Sequence, residues 1–191
     1  EHKIKMEVPS IIVVFGPPGS GKGTQAERIA SHFMIDHIDT GRLIEQTVHN
    51  SAFKDDPIIQ RERKNFDEGR LCTPEWIPEL LGQTITEHAR IKKGMVFSGS
   101  PRTRYEAEVL IPIFGHLYGS QNIYFIRLNV ASETSIFRNS NRRICDRCGK
   151  SLLFSPNNEE VTRCSCGGTI ITRTLDSPQI IKVRLDEYKQ R

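Results

Sequence analysis

Residues 11–15 read IIVVF, five apolar residues with no polar alternate. A strand covered on one face alternates, whereas one covered on both does not, so this run predicts a buried central strand. TQAERIASHF (24–33) follows with helical spacing, Ala26, Ile29, Ala30 and Phe33 sharing one face. IDHID (35–39) predicts a second strand. A polar helical stretch runs from Arg42 to Glu68, broken near Pro57. PEWIPELLGQTITEHARI (74–91) predicts a longer helix with Thr73 as its cap. GMVFSG (94–99) is a third buried strand, and RTRYEAEVLIPIF (102–114) is helical until Pro112 disturbs it. NIYFIRLNV (122–130) predicts a fourth strand and SETSIFRNSNRR (132–143) another helix. After a Cys- and Gly-rich stretch (145–168), SPQIIKVRLDEYKQR (177–191) closes the chain as a helix. Strands alternating with helices predict an α/β fold, a parallel sheet flanked by helices on both faces.

Composition narrows this little. The 191 residues are 37% hydrophobic and 26% charged, which suits one globular domain with insertions. The net charge of +4 is too mild to argue for or against polyanionic partners. No apolar run approaches the roughly 20 residues a membrane span needs. EHKIKM at the start is charged and reads as a short leader without a signal-peptide core. Cysteine usage says more. Four of the five cysteines cluster as Cys145/Cys148 and Cys164/Cys166, which points to a metal site in a reducing cytoplasm rather than to disulfides. Cys72 stands alone as a small apolar filler.

GPPGSGKGT (16–24) sits between the first strand and the first helix. With so little Cβ in the way, the backbone N–H groups of Gly19, Ser20, Gly21, Lys22 and Gly23 can converge on phosphate oxygens, helped by the positive end of the following helix. Lys22 places a point charge beside the β- and γ-phosphates. Ser or Thr usually follows that lysine directly. Here Gly23 intervenes, and Thr24 offers its hydroxyl to Mg²⁺ from the first helical turn.

The shifted threonine is where the chain resembles a family. G-x-P-G-S-G-K-G-T-Q resembles the loop of nucleoside monophosphate kinases, adenylate kinases above all. DTGRLI (39–44) resembles S-T-G-D-M-L, EGRLCT (68–73) resembles G-x-L-V-P/T, and SGSPRT (98–103) resembles D-G-F-P-R-T. RNSNRRICDRCG (138–149) resembles the R-x-x-x-R-R entry to a zinc-carrying lid, and RTLDSPQIIKVRLDEY (173–188) resembles R-x-D-D-x-x-x-x-V-x-x-R-L-x-x-Y. The motifs follow in order over nearly the whole chain.

The resemblance implies a P-loop NTPase-type sheet as core (1–40, 70–143 and 174–191), a monophosphate-binding arm (41–69) and a small zinc-ribbon-like lid (144–173). It implies reversible transfer of a phosphoryl group from ATP, with Mg²⁺, to a nucleoside monophosphate, AMP first. By similarity Arg102 holds the monophosphate and Arg138 packs on the ATP base. Arg142, Arg173 and Arg184 close around the phosphoryl group, and Ser151 and Leu152 belong to the ATP side. Thr40, Gly41, Arg42, Arg70, Cys72, Gly99 and Glu106 join Arg102, Arg173 and Arg184 on the acceptor side. Guanidinium suits such work because it stays charged and grips phosphate in two places. The cysteines resemble a zinc ribbon: two close pairs of thiolates suit a closed, structural tetrahedral site. The second pair is C-S-C where the family has C-x-x-C, so the alternatives are a tighter knuckle around zinc, reduced free thiols or a damaged site. A monomer in the cytoplasm, with no nucleic-acid or membrane partner, is the expectation.

Several positions depart from the pattern. The D-G-F-P-R aspartate, which orients waters on Mg²⁺, is Ser98, and the first aspartate of R-x-D-D is Leu175. The acceptor arginine of the arm is Glu45, while the family aspartate three residues earlier is Arg42. These two share a helix face, so either they have exchanged charges or a phosphate contact is lost. Where the family reads adenine with glutamine stands Glu106, an acceptor-only group that suits guanine's paired donors or else faces solvent. Family members continue past the R-L-x-x-Y helix into a further strand and helix, whereas this sequence stops at Arg191, read as either a truncation or a natively short chain. Without a fifth strand, the sheet and the ATP-base pocket would both be incomplete.

Two other functions stand beside kinase activity. One is a nucleotide-binding relative with weak or altered activity, favoured by Ser98, Glu45, Glu106 and Leu175. The other is a zinc-ribbon nucleic-acid binder, which lacks stacking aromatics: only Phe154 lies between Cys145 and Cys166.

Overall fold

The computed structural model describes residue 4, residues 8–152 and residues 160–190. The rest of the charged leader, Phe154 and Arg191 lie outside the described residues.

A four-stranded parallel sheet forms the core. Its strands are β1 (Ile11–Phe15), β2 (Asp36–Asp39), β3 (Met95–Ser98) and β4 (Ile123–Arg127), in the order β2-β3-β1-β4. The unbroken apolar run of β1 now has its reason. Ile11 and Val13 point into one hydrophobic cluster, and Ile12 and Val14 into another on the opposite face. The larger cluster packs α4 (Trp76–Arg90) and α5 (Arg104–Tyr118) against the sheet, and the smaller one packs α1 (Lys22–Phe33). At the sheet's edge, β4 leaves Tyr124, Phe125 and Ile126 exposed.

Between β2 and β3 the chain makes a helical excursion, α2 (Thr40–Val48) and α3 (Pro57–Asp67). The break near Pro57 is a helix start. Pro57 occupies the first turn of α3, where its missing N–H costs nothing, and the Asp56 carboxylate accepts from the N–H groups of Ile58 and Ile59. After α6 (Ser132–Ser140) the chain enters a small antiparallel sheet, β5 (Arg143–Cys145), β6 (Ser151–Leu152) and β7 (Ile170–Ile171), in the order β6-β5-β7. A short turn, Thr174–Asp176, leads into α7 (Pro178–Gln190).

Two local readings need correction. Thr73 does not cap α4. The helix starts at Trp76, and the Thr73 hydroxyl and N–H both donate to the Glu62 carboxylate, at 2.5 and 2.8 Å. Glu62 is fully buried, and these donors let a carboxylate stay there, tying α3 to the start of α4. Pro112 does not end α5, which runs on to Tyr118. The proline lies on the exposed face, where the orphaned Glu108 carbonyl can turn to water, while Leu110 and Phe114 anchor the buried face on either side of it.

Candidate active site

The floor of the site is the turn between β1 and α1. Gly21 is the N-cap of α1 at φ 91°, with no side-chain cap, so the first N–H groups of the helix open onto the cleft. Gly19, at φ 72°, is held from behind. A Cβ there would stand 2.5 Å from Asn139 Nδ2 and 2.8 Å from the Ser135 carbonyl. The Ser135 hydroxyl donates to the Pro18 carbonyl at 2.5 Å, so α6 buttresses the loop. Lys22 reaches back, its ammonium donating to the carbonyls of Gly16 and Pro17 at 2.9 and 2.8 Å. Burial, then the charges of Arg102, Arg184 and Arg142, bring its pKa down to about 7. The floor is thus strongly electropositive.

Side chains make the walls. Arg102 Nε donates to the Gly99 carbonyl. Arg142 clasps the fully buried Asp176 with two donors, and Arg184 lies 3.8 Å from the same carboxylate. Burial and the neighbouring Arg142 and Arg102 lower Arg184 to about 9. Arg173 pairs with Glu45 at 2.9 Å. Lys22, Arg102, Arg138, Arg142, Arg173 and Arg184 all line one cleft of about 1550 Å³, and so do residues 19–24, Gly41, Arg42, Gly99, Ser151 and Leu152. Elements far apart in the chain therefore deliver cations to one space above a ring of backbone N–H groups.

The small sheet roofs this cleft and carries the cysteine cluster. The four sulfurs of Cys145, Cys148, Cys164 and Cys166 lie within 4.8 Å of one another, Cys145 Sγ 3.4 Å from Cys166 Sγ and Cys148 Sγ 3.7 Å from Cys164 Sγ. Tetrahedral zinc with Zn–S near 2.3 Å needs sulfurs about 3.8 Å apart, so these residues fit the ion. The Cys148 N–H donates to Cys145 Sγ, lowering that thiol, and the Cys166 backbone donor leads in bringing Cys164 to about 6. The C-S-C pair thus brings both its sulfurs into one cluster with Cys145 and Cys148, which could hold a metal ion.

A family model for adenylate kinase matches residues 14–191. The chain belongs to the adenylate kinase family. It is 34% identical over 181 residues to an adenylate kinase of Lachnospira eligens, covering 94% of this chain and 82% of that one. With adenylate kinases of Caldicellulosiruptor saccharolyticus and Methanococcoides burtonii it shares 32% identity, over 93% and 94% of this chain and 80% and 81% of theirs. It is a phosphotransferase of the nucleoside monophosphate kinase type. Among the described residues, no helix is long and apolar enough to cross a membrane.

Not every residue expected by analogy with adenylate kinases stands in the cleft. Arg70 turns to Glu68 at 2.7 Å and does not line it. Thr40 is fully buried at the start of α2. Cys72, its thiol pushed up to about 12 by burial and Glu62, borders a separate space of about 10 Å³ with Ile44, Leu71, Ile77 and Glu106. Glu106 does not face solvent: it is 1% exposed. Its oxygens accept from the Ser100 hydroxyl and the Arg102 N–H, both at 2.9 Å, and from the Thr103 hydroxyl at 3.3 Å. The carboxylate fixes the 100–103 turn and so aims Arg102. The spacing T-x-x-E over 103–106, a capping-box signature, was the signal for this role. Arg42 spends its donors on the carbonyls of Cys148 and Arg147, at 2.6 and 3.3 Å, and so joins α2 to the cysteine knuckle. Leu175 packs into the larger core cluster. Sequence reasoning misses the buttress Ser135 and Asn139, the tie Glu62, and the task of Asp176 in gathering Arg142 and Arg184.

Proposed function

We propose that the protein transfers the terminal phosphoryl group of ATP to AMP, reversibly giving two ADP, as a cytoplasmic monomer. The observation that carries this reading is the convergence of Lys22 and five arginines on one cleft floored by the glycine-rich loop. The acceptor is already an anionic phosphate oxygen, so the work is positioning and charge neutralisation rather than proton removal. In this reading the N–H groups of residues 19–23 and Lys22 seat the donor phosphates. Arg138 lies against the donor base, with Ser151 and Leu152 nearby. Arg102, held by Gly99 and Glu106, grips the acceptor phosphate, and Arg142, Arg173 and Arg184 surround the group in transfer. Residues 41–69 form the acceptor arm and 144–173 the lid that excludes water from a reaction in which water is a competing acceptor. Mg²⁺ on ATP would neutralise phosphate charge, and the Thr24 hydroxyl, which lines the cleft from the first turn of α1, would help to hold it. Zinc would serve the lid as a structural ion. Four clustered thiols would bind zinc only while reduced, which favours a reducing compartment.

Coupled turnover with ATP and each of AMP, GMP, CMP and UMP, repeated after zinc chelation, tests the reading. AMP should be the fastest acceptor, and chelation should lower its rate. Saturable ATP binding with no ADP formed from any of the four would replace catalysis by a sensing role.

A further inference from the structure

We propose that Asp39 supplies the carboxylate that orients water around the ATP-bound divalent ion, its charge having moved one strand across the sheet from position 98. The inference rests on the kinase reading above.

Asp39 ends β2, and its register partner in the parallel ladder is Ser98, the end of β3. Register partners in a sheet present their side chains to the same face, about 5 Å apart. The two positions have exchanged chemistry relative to the family pattern: serine for aspartate at 98, aspartate for serine at 39. Ser98 cannot take over the charge. It is 4% exposed, and its hydroxyl is engaged with His37 Nε2 at 2.7 Å.

Asp39 is also left without an ion pair among the described residues. Among the described residues, four carboxylates line the cleft: Asp39, Glu45, Asp67 and Asp146. Glu45 is paired with Arg173 and Asp67 with His49 and Arg63, whereas Asp146, which like Asp39 accepts one backbone N–H through Oδ1, lies just past β5 in the small sheet and shares no register with Ser98. Asp39 uses Oδ1 to accept from the Arg42 N–H and has no ion-pair partner among the described residues. It is exposed to the cleft and close enough to Lys22 to act on that charge. One oxygen holds α2 in place, and the other is free to accept from metal-bound water, as divalent ions that keep their hydration shell require.

The test compares ATP affinity with Mn²⁺ and with EDTA, by calorimetry, and the relaxation signature of bound Mn²⁺. D39N is the informative variant, because asparagine keeps the cap on α2 and removes only the charge. The parent should bind ATP more tightly with Mn²⁺. D39N should lose roughly tenfold of that gain while its affinity in EDTA stays level or rises. The double exchange D39S/S98D should recover the gain. A D39N protein that keeps the full Mn²⁺ gain overturns the proposal, and so does a double exchange that recovers nothing while remaining folded by circular dichroism. A parent that binds no ATP under either condition removes the kinase reading and this inference together.

Discussion

Residues 16–24 hold their positive potential in the backbone with Lys22 as their one cationic side chain, whereas residues 39–45, 98–106 and 173–184 hold theirs in side chains alone. Every residue of the loop pattern is kept. The departures that change a charge, Asp39, Arg42, Glu45, Ser98, Glu106 and Leu175, all lie in the second group. The difference has a physical cause. A cradle of N–H groups is set by φ and ψ, and no side-chain exchange can reproduce it elsewhere. A charge on a side chain can migrate to any neighbouring position that aims at the same point. Asp39 and Ser98 are such neighbours by register, and Arg42 and Glu45 by one helical turn.

The hardest blow to this contrast is a change to the floor. G19A puts a methyl group where 2.5 Å separates it from Asn139, at a φ of 72°. Left-handed strain and overpacking together cost about 2–4 kcal/mol. Relief must come from the loop or from α6, and either movement spoils the N–H ring. Urea unfolding should show the loss of stability, and ATP affinity should fall at least tenfold, about 1.4 kcal/mol. Parent-like ATP affinity in G19A would mean that the floor is as adaptable as the walls.

What could be read in advance follows the same division. The strand–loop–helix and the cysteine pairs were legible because their information is local: a few consecutive residues state both conformation and chemistry. The walls were legible only as residue types. That Arg142 and Arg184 meet at Asp176 depends on a fold-level contact, and so do the burial of Glu106 and the turn of Arg70 toward Glu68. Pro112 failed as a helix stop for a related reason. Its propensity is local, but burial of Leu110 and Phe114 overrides it.

A smaller effect sharpens the comparison at the walls. Arg42 bonds two carbonyls of the knuckle, and Glu45 bonds Arg173, so the proposed arm and lid are clasped through two side chains of α2. Both contacts are partly solvated, so each contributes about 1 kcal/mol or less. R42A and E45Q should each lower the closed fraction up to fivefold, read as a broader arm-to-lid label distance without nucleotide. KM should rise with kcat unchanged or higher, since opening releases product. The Glu45 effect should fade in salt. An unchanged distance distribution in the double variant would show that the clasp does not set lid position.

The mildest effect concerns a proton on the floor itself. With Lys22 at about 7 in the ligand-free cleft, against 10.5 for a free lysine, most molecules carry it neutral at pH 8. A triphosphate beside Nζ favours the charged form, so binding takes up close to one proton at pH 8. Uptake shrinks toward pH 6, where Lys22 is already charged. By linkage, ATP affinity should fall as pH rises above 7, by at most about tenfold per unit. The ligand-free fold should gain stability over the same range, because there the unfolded chain holds a proton that the folded one has released. Arg184, at about 9, stays mostly charged at pH 8 and adds little. Calorimetry in buffers of different ionisation enthalpy measures the uptake, and K22M should abolish it. Zero uptake in the parent would mean that Lys22 is already charged in the ligand-free cleft, and undiminished uptake in K22M would place the titrating charge on a wall arginine instead of the loop.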